Sequence, residues 1–184
     1  IGYLSTTLDF LAEYWRMSED ERAYEACEKI VDFARYFVHQ DGSAGGQYGS
    51  RNTEYFLLSG LSAMADRSAA AAAMLARLRH QTGQAEWAYA AFDDRYLCHN
   101  MMHSLLRAVR NAPAAKLPPV LLPCETDHER YFPESGLLSM QRGDSHLICG
   151  VKKGGVVRLF SGGREVFRDF GYRLEEEPGR TAAT

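Results

Sequence analysis

Two periodicities divide the chain. From residue 3 to about residue 111, apolar residues recur at three- and four-residue steps; from Tyr131 onward they alternate. The first repeat is that of one helix face, the second that of a half-buried strand. Leu4, Leu8, Leu11, Ala12 and Trp15 predict a first amphipathic helix. Ser18-Glu19-Asp20-Glu21 has the form of a capping box and predicts the start of a second. Tyr24, Cys27, Ile30, Val31, Ala34, Phe37 and Val38 then make one stripe, which Asp41-Gly42 closes. A third helix is expected over 53–65, with Tyr55, Leu58 and Leu61 on one face. Ser68 is a good N-cap for an alanine-rich fourth helix that Thr82-Gly83 breaks. Asp93 or Asp94 caps a fifth, carrying Tyr96, Leu97, Met101, Leu105, Leu106 and Val109. Short links between such helices imply antiparallel hairpins packed side by side.

Residues 112–124 hold four of the six prolines and read as a stiff, extended linker along a surface. Beyond it, short apolar runs at 136–141, 146–151, 156–160, 165–167 and 171–174 are separated by Arg142-Gly143-Asp144, Lys153-Gly154-Gly155 and Ser161-Gly162-Gly163. This is hairpin chemistry and predicts an antiparallel sheet, the first part of a β-sandwich. The expected fold class is therefore α+β and multidomain: a helical segment over 1–111, a linker over 112–124 and a sheet segment over 125–184. The open sheet edge, the start at Ile1 and the polar tail suggest a piece of a longer protein.

Composition narrows the function classes. The chain has 184 residues, 46% of them apolar, with 21 Lys and Arg against 24 Asp and Glu, a formal charge of −3. That is enough apolar content for a core and excludes intrinsic disorder and collagen. No apolar run is long enough for a membrane span, and no basic block suggests nucleic acid. Cys27, Cys98, Cys124 and Cys149 form no C-x-x-C pair and read as buried thiols.

The stretch least explicable as scaffold is 41–56, D-G-S-A-G-G-Q-Y-G-S-R-N-T-E-Y-F. Long polar loops between bundle helices often carry function. Gln47, Tyr48, Arg51, Asn52, Glu54 and Tyr55 are types that hold sugars: aromatic faces stack on rings, while guanidinium and amide groups bind carboxylates and hydroxyls. The plainer reading is a glycine-rich turn with Arg51 paired to Glu54. His99 and His103 stand four apart, a spacing that more often marks a solvated or core pair than a metal site. His39 is expected to cap a helix dipole, and the 175–177 glutamate run to be a solvated loop. His128, near the junction of the two halves, is a candidate to reach a cleft between them.

Helical hairpins, the loop-to-helix segment, a proline-rich linker and a following sheet together resemble the heparinase II/III-like polysaccharide lyases and related alginate lyases. The residues that carry the resemblance are Asp41-Gly42-Ser43, Gln47 and Tyr55-Phe56, then Phe132-Pro133-Glu134-Ser135-Gly136-Leu137 and Lys153-Gly154-Gly155. After the tyrosine the family carries His, where this chain has Phe56. The resemblance implies an incomplete (α/α) toroid followed by a β-sandwich. It also implies β-elimination on an acidic, uronic-acid-containing polysaccharide. Tyr55 would be the acid or base, Arg51 and Asn52 would clamp the substrate, and Tyr48, Gln47, Glu54 and His128 would line the site. No organic cofactor is implied, and a structural divalent metal would belong to a part of the parent beyond this chain. On a helix, Arg51 would share a face with Tyr55 and favour its phenolate. Two rival readings are a non-catalytic carbohydrate-binding or structural unit, and a toroidal glycoside hydrolase using Asp41 and Glu54.

Overall fold

The computed structural model describes residues 1–49, 53–80, 99, 101–115, 117–170, 174–177 and 180–182. The architecture is α+β. Among the described residues five α-helices, α1 (Gly2–Ser18), α2 (Glu21–Ala34), α3 (Leu58–Met64), α4 (Ala69–His80) and α5 (Met102–Arg110), precede the strands. Strands β1 (His128–Phe132), β2 (Leu137–Arg142), β3 (Ser145–Gly150), β4 (Val156–Ser161) and β5 (Arg164–Asp169) form an antiparallel meander in sequence order. A separate hairpin pairs β6 (Leu174–Glu177) with β7 (Arg180–Ala182). The 175–177 glutamates thus sit in a paired strand rather than a loop.

The cap between the first two helices differs from the capping box expected at Ser18. Helix α1 runs through Ser18, whose hydroxyl donates back to the Tyr14 carbonyl. Glu19 takes a left-handed conformation (φ 55°), and Asp20 caps α2 by accepting from the Arg22 amide. The Ser18 oxygen still accepts, but from the Asp20 amide (3.3 Å) just ahead of α2, so the first turn of α2 is capped by Asp20 instead. Helix α2 is also shorter than its stripe. A 3₁₀ turn at Arg35–Phe37 ends it, and Val38 then bridges to Ala44 as extended chain. Ser68 does cap α4, accepting from the Ala71 amide.

Helix α3 is the hub of the helical layer, contacting α1, α4 and α5. Six of its seven residues are buried, which needs small side chains where neighbours come closest. Gly60 is such a place: a Cβ there would stand 2.8 Å from Leu8 Cγ and 2.9 Å from the Leu8 carbonyl oxygen. The serines tie α3 to α5. The Ser62 hydroxyl lies 2.8 Å from the Ala108 carbonyl oxygen, and the Ser59 amide donates to Ser104 Oγ. Ser104 Oγ and the Arg107 guanidinium both donate to the buried Asp9 of α1. The outward positions of α5 include Leu106 and Val109, which are exposed although the sequence pattern counted them in a stripe. Asp9, Ser59 and Ser104 carry that seam through polar contacts instead.

In the central strands β2, β3 and β4 alternation holds residue by residue, whereas β1 and β5 do not follow it. Leu137, Ser139, Gln141, His146, Ile148, Val156, Arg158 and Phe160 are buried, and the residues between them in β2, β3 and β4 are partly exposed. The buried face lies on the end of the helical layer. Phe37 and Tyr48 from the helical half form one apolar cluster with Leu137, Ile148 and Val156, and Phe33, Tyr36 and Phe132 pack against it. The segment at 117–122 has neither helix nor strand, and Leu122, Pro123 and Cys124 are buried, Leu122 and Cys124 within the helical core. The chain halves that prolines separate in sequence therefore share a core.

Leu61 is fully buried at the centre of α3. Leu61→Ala is expected to lower unfolding free energy by about 2–5 kcal/mol, seen as a lower urea midpoint at unchanged slope. A loss under about 1 kcal/mol would show that α3 is not the packing hub.

Candidate functional site

The polar stretch after α2 folds back on itself before α3 begins. Val38 bridges to Ala44 and Gly46 to Thr53, so the loop forms two short antiparallel contacts. Two glycines make this possible. Gly45 (φ 84°) lies where a Cβ would stand 2.3 Å from the Thr53 carbonyl oxygen. Gly46 (φ 128°) lies where one would stand 2.7 Å from Arg158 Nη1. Residues 53–57 are neither helix nor strand apart from the Thr53 bridge, and α3 starts only at Leu58, not at Thr53 as expected. Tertiary contacts override local propensity here: Thr53 is held by Gly46, Glu54 by an arginine of the sheet, and Phe56 by the helical core. Tyr55 therefore precedes α3 instead of lying on its face.

Within the loop a hydrogen-bonded chain runs inward from Asp41. The Ser43 hydroxyl donates to Asp41 Oδ1 (2.7 Å), His39 Nδ1 lies 2.8 Å from Ser43 Oγ, and His39 Nε2 lies 2.8 Å from the Tyr48 hydroxyl. An ionised carboxylate only accepts, so Ser43 spends its one proton on Asp41. Ser43 must then accept from His39 Nδ1–H, which leaves Nε2 to accept from Tyr48. One carboxylate thus sets the tautomer and direction of the whole chain.

The chain ends inside the protein. His39 is fully buried, with its ring stacked on Phe160 (centroids 4.4 Å apart), and Tyr48 is 2% exposed. Burial, reinforced by the nearby Arg158, His146 and Arg168, holds the His39 imidazole well below the usual histidine range. Burial likewise raises the Tyr48 phenol above its ordinary value. Both are neutral bracing groups rather than acids or bases open to a ligand.

A second polar knot lies beside it. Ser139 Oγ is within hydrogen-bond distance of the Tyr36 carbonyl oxygen (2.9 Å), His128 Nε2 (2.9 Å) and His146 Nε2 (3.3 Å). His128 also lies edge-on to Tyr36, with Nδ1 3.1 Å from the Thr126 carbonyl oxygen. His146 is fully buried; burial, then the neighbouring His128, brings its imidazole down to about 3.

The third group is charged. Arg158, 1% exposed, donates from Nε and Nη2 to Glu165 (2.6 and 3.0 Å) and from Nη1 to the Gly45 carbonyl (2.8 Å). Arg168 donates to the same Glu165 and pairs through Nη1 with Glu54 at 2.8 Å. Burial pushes the Glu165 carboxyl up, but the hydrogen bonds from Arg158 and Arg168 outweigh it and hold the group below its usual range. Glu54 lies 3.8 Å from Arg158 and accepts from Gln47 Nε2 (3.4 Å). Two cations thus meet two anions at the seam between loop and sheet.

The sequence-predicted site residues divide accordingly. Tyr48 and Gln47 lie inside the seam and not on a surface that a sugar reaches. Glu54 is occupied by the sheet's arginines, and His128 by Ser139 and Thr126. Tyr55 is partly exposed on the segment before α3. Arg51 and Asn52 lie outside the described residues, as do Asn100 and Cys98. His39 faces Tyr48 and Ser43 rather than a helix end, because α2 stops five residues earlier. His99 is exposed, while His103 lies 4.0 Å from Asp9. Among the described residues no three His, Cys, Asp or Glu stand together to hold a metal, so no step is routed through one. Sequence reasoning missed Arg158, Glu165, Arg168 and the depth of His39 and His146. One signal was present: alternation along V-V-R-L-F puts Arg158 on the same face as Val156 and Phe160.

Because His39 and His146 are neutral when folded but take a proton near pH 6.5 when unfolded, stability is complete above about pH 6.5 and falls below it. From about pH 6.5 to 5, before carboxylates titrate, each histidine is expected to cost up to about 1.4 kcal/mol per pH unit. Urea melts across that range check this, and a flat profile refutes the buried-neutral assignment. Tyr48→Phe removes the donor to His39 Nε2 and is expected to cost about 1–3 kcal/mol in the same assay, against under about 0.5 if the hydroxyl were exposed.

Comparison with known proteins finds no matching family model, no matching curated protein and no matching solved structure.

Proposed function

We propose that this chain is part of a heparinase II/III-like polysaccharide lyase. Its helices belong to an incomplete (α/α) toroid and its meander to a β-sandwich, and it acts by β-elimination on a uronic-acid-containing polysaccharide. The observation that supports the reading is the placement of Tyr55: a partly exposed residue on the segment before α3, next to Glu54, which pairs with the sheet's Arg168. In this reaction the substrate carboxylate is neutralised, the proton on carbon 5 is removed, and the departing glycosidic oxygen is protonated. Tyr55 is the acid or base in this scheme. A free phenol titrates near ~10, so service as a base at neutral pH requires a stabilised phenolate. Arg51 and Asn52 are the proposed clamps for the carboxylate.

A second reading, a non-catalytic carbohydrate-binding or structural unit, is favoured by a different observation. Two proposed sugar contacts, Tyr48 and Gln47, are spent on internal packing, and Phe56 stands beside Tyr55 in the core.

Incubation with alginate, heparin or polygalacturonate separates the two. The lyase reading expects ultraviolet absorbance from the unsaturated uronate product, reduced by at least about 100-fold in Tyr55→Phe. Unchanged activity in that variant removes Tyr55 from the mechanism. Glycan binding with no absorbance gain supports the second reading.

A further inference from the structure

Tyr55 is gripped on both sides in sequence. Phe56 is 2% exposed and belongs to the helical core. Glu54, on the other side, reaches the sheet, where Arg168 Nη1 lies 2.8 Å from its carboxylate. Glu54 and Phe56 flank Tyr55 directly, so the backbone on both sides of it is anchored. Fixing Glu54 and Phe56 therefore fixes the direction in which Tyr55 leaves the chain.

Of the two arginines near Glu54, Arg158 is 3.8 Å away and already committed to Glu165 and the Gly45 carbonyl. Arg168 makes the close contact and is itself oriented by Glu165 through its Nε at 2.9 Å. Gln47 adds a weaker hold on the same carboxylate at 3.4 Å.

We propose that Arg168 of β5 is a positioning residue for Tyr55, acting through Glu54. The proposal rests on the reading of Tyr55 as the acid–base group. Arg168 touches no substrate in this scheme. It transmits the register of the sheet to a phenol supplied by the helical half, so the site is complete only when the two halves are docked. A misplacement on the order of 1 Å at a reacting group costs on the order of 100-fold in rate, which is the scale on which such a strap acts.

The test compares wild type with Arg168→Gln, Glu54→Gln and Arg168→Lys, using two readouts. Amide hydrogen exchange follows peptides covering 53–57, and product absorbance on alginate, heparin and polygalacturonate gives kcat and KM. The proposal expects Arg168→Gln to speed exchange over 53–57 by at least about tenfold while β2 and β3 stay protected. It expects kcat to fall by about 10- to 100-fold with KM within about twofold, and Arg168→Lys to recover most of both. Glu54→Gln should reproduce the exchange effect, and the double variant should add little to it. Unchanged exchange over 53–57, or equal loss of protection across the whole sheet, overturns the proposal. A wild type that yields no unsaturated product overturns the lyase reading instead, while a selective exchange effect in Arg168→Gln still shows that the pair orients Tyr55.

Discussion

A guanidinium sealed between a sheet and a loop has to be neutralised there, and the junction of the two halves is organised around that requirement. Arg158 projects from the buried face of β4 among Val156, Phe160 and Ile148, where an unpaired cation would be prohibitively costly. Glu165 on the neighbouring strand supplies the countercharge in two-point geometry, and the Gly45 carbonyl accepts a further hydrogen bond. The loop can offer that carbonyl only because Gly46 leaves room for the arginine head. Glu54 and Arg168 extend the pairing outward, so the charged contacts that satisfy Arg158 also hold the chain leading into α3. Such a cluster contributes less net stability than its number of contacts suggests, since desolvation offsets much of the attraction. Its role here is to specify which loop conformation docks on which strands.

The histidines act on the same seam by a different principle. His39 and His146 are polar groups placed where charge is excluded. Each is useful only as a neutral ring with its hydrogen bonds arranged in one sense. Asp41 supplies that sense at the loop, through Ser43. Ser139 gathers His128, His146 and the Tyr36 carbonyl at one hydroxyl, tying β1, β2 and β3 to the turn that ends α2. The aromatic rings of Phe33, Tyr36, Phe37 and Phe132 surround these contacts and keep water from competing for them.

The residues with apparent sugar-binding chemistry therefore serve two purposes. Gln47, Tyr48 and His128 have the composition of a binding loop, yet Gln47 Nε2, the Tyr48 hydroxyl and His128 Nε2 are engaged internally. A tyrosine or amide looks the same in a sequence whether its partner is a hydroxyl of a ligand or of a neighbouring strand. Burial distinguishes the two, and burial depends on residues about a hundred positions away. Tyr55 is partly exposed, between Phe56 in the helical core and Glu54 on an arginine of the sheet.

The amino-acid pattern by itself determined the α+β class, the positions of α1, α2 and α4, and three of the meander's four turns; β1 and the turn after it were not anticipated. Each anticipated feature depends on contacts a few residues apart, or on a repeat of 3.6 or two that survives any tertiary arrangement. The sequence also singled out 41–56 as more than a connector, since its polar and glycine content is excessive for a turn. Only the tertiary structure decided that the helix begins at Leu58 and not at Thr53, that Tyr48 and His39 face inward, and that Arg158 finds Glu165 while Arg168 finds Glu54. Those outcomes belong to a contact between two halves separated by a proline-rich segment, and no local periodicity encodes which buried polar group meets which.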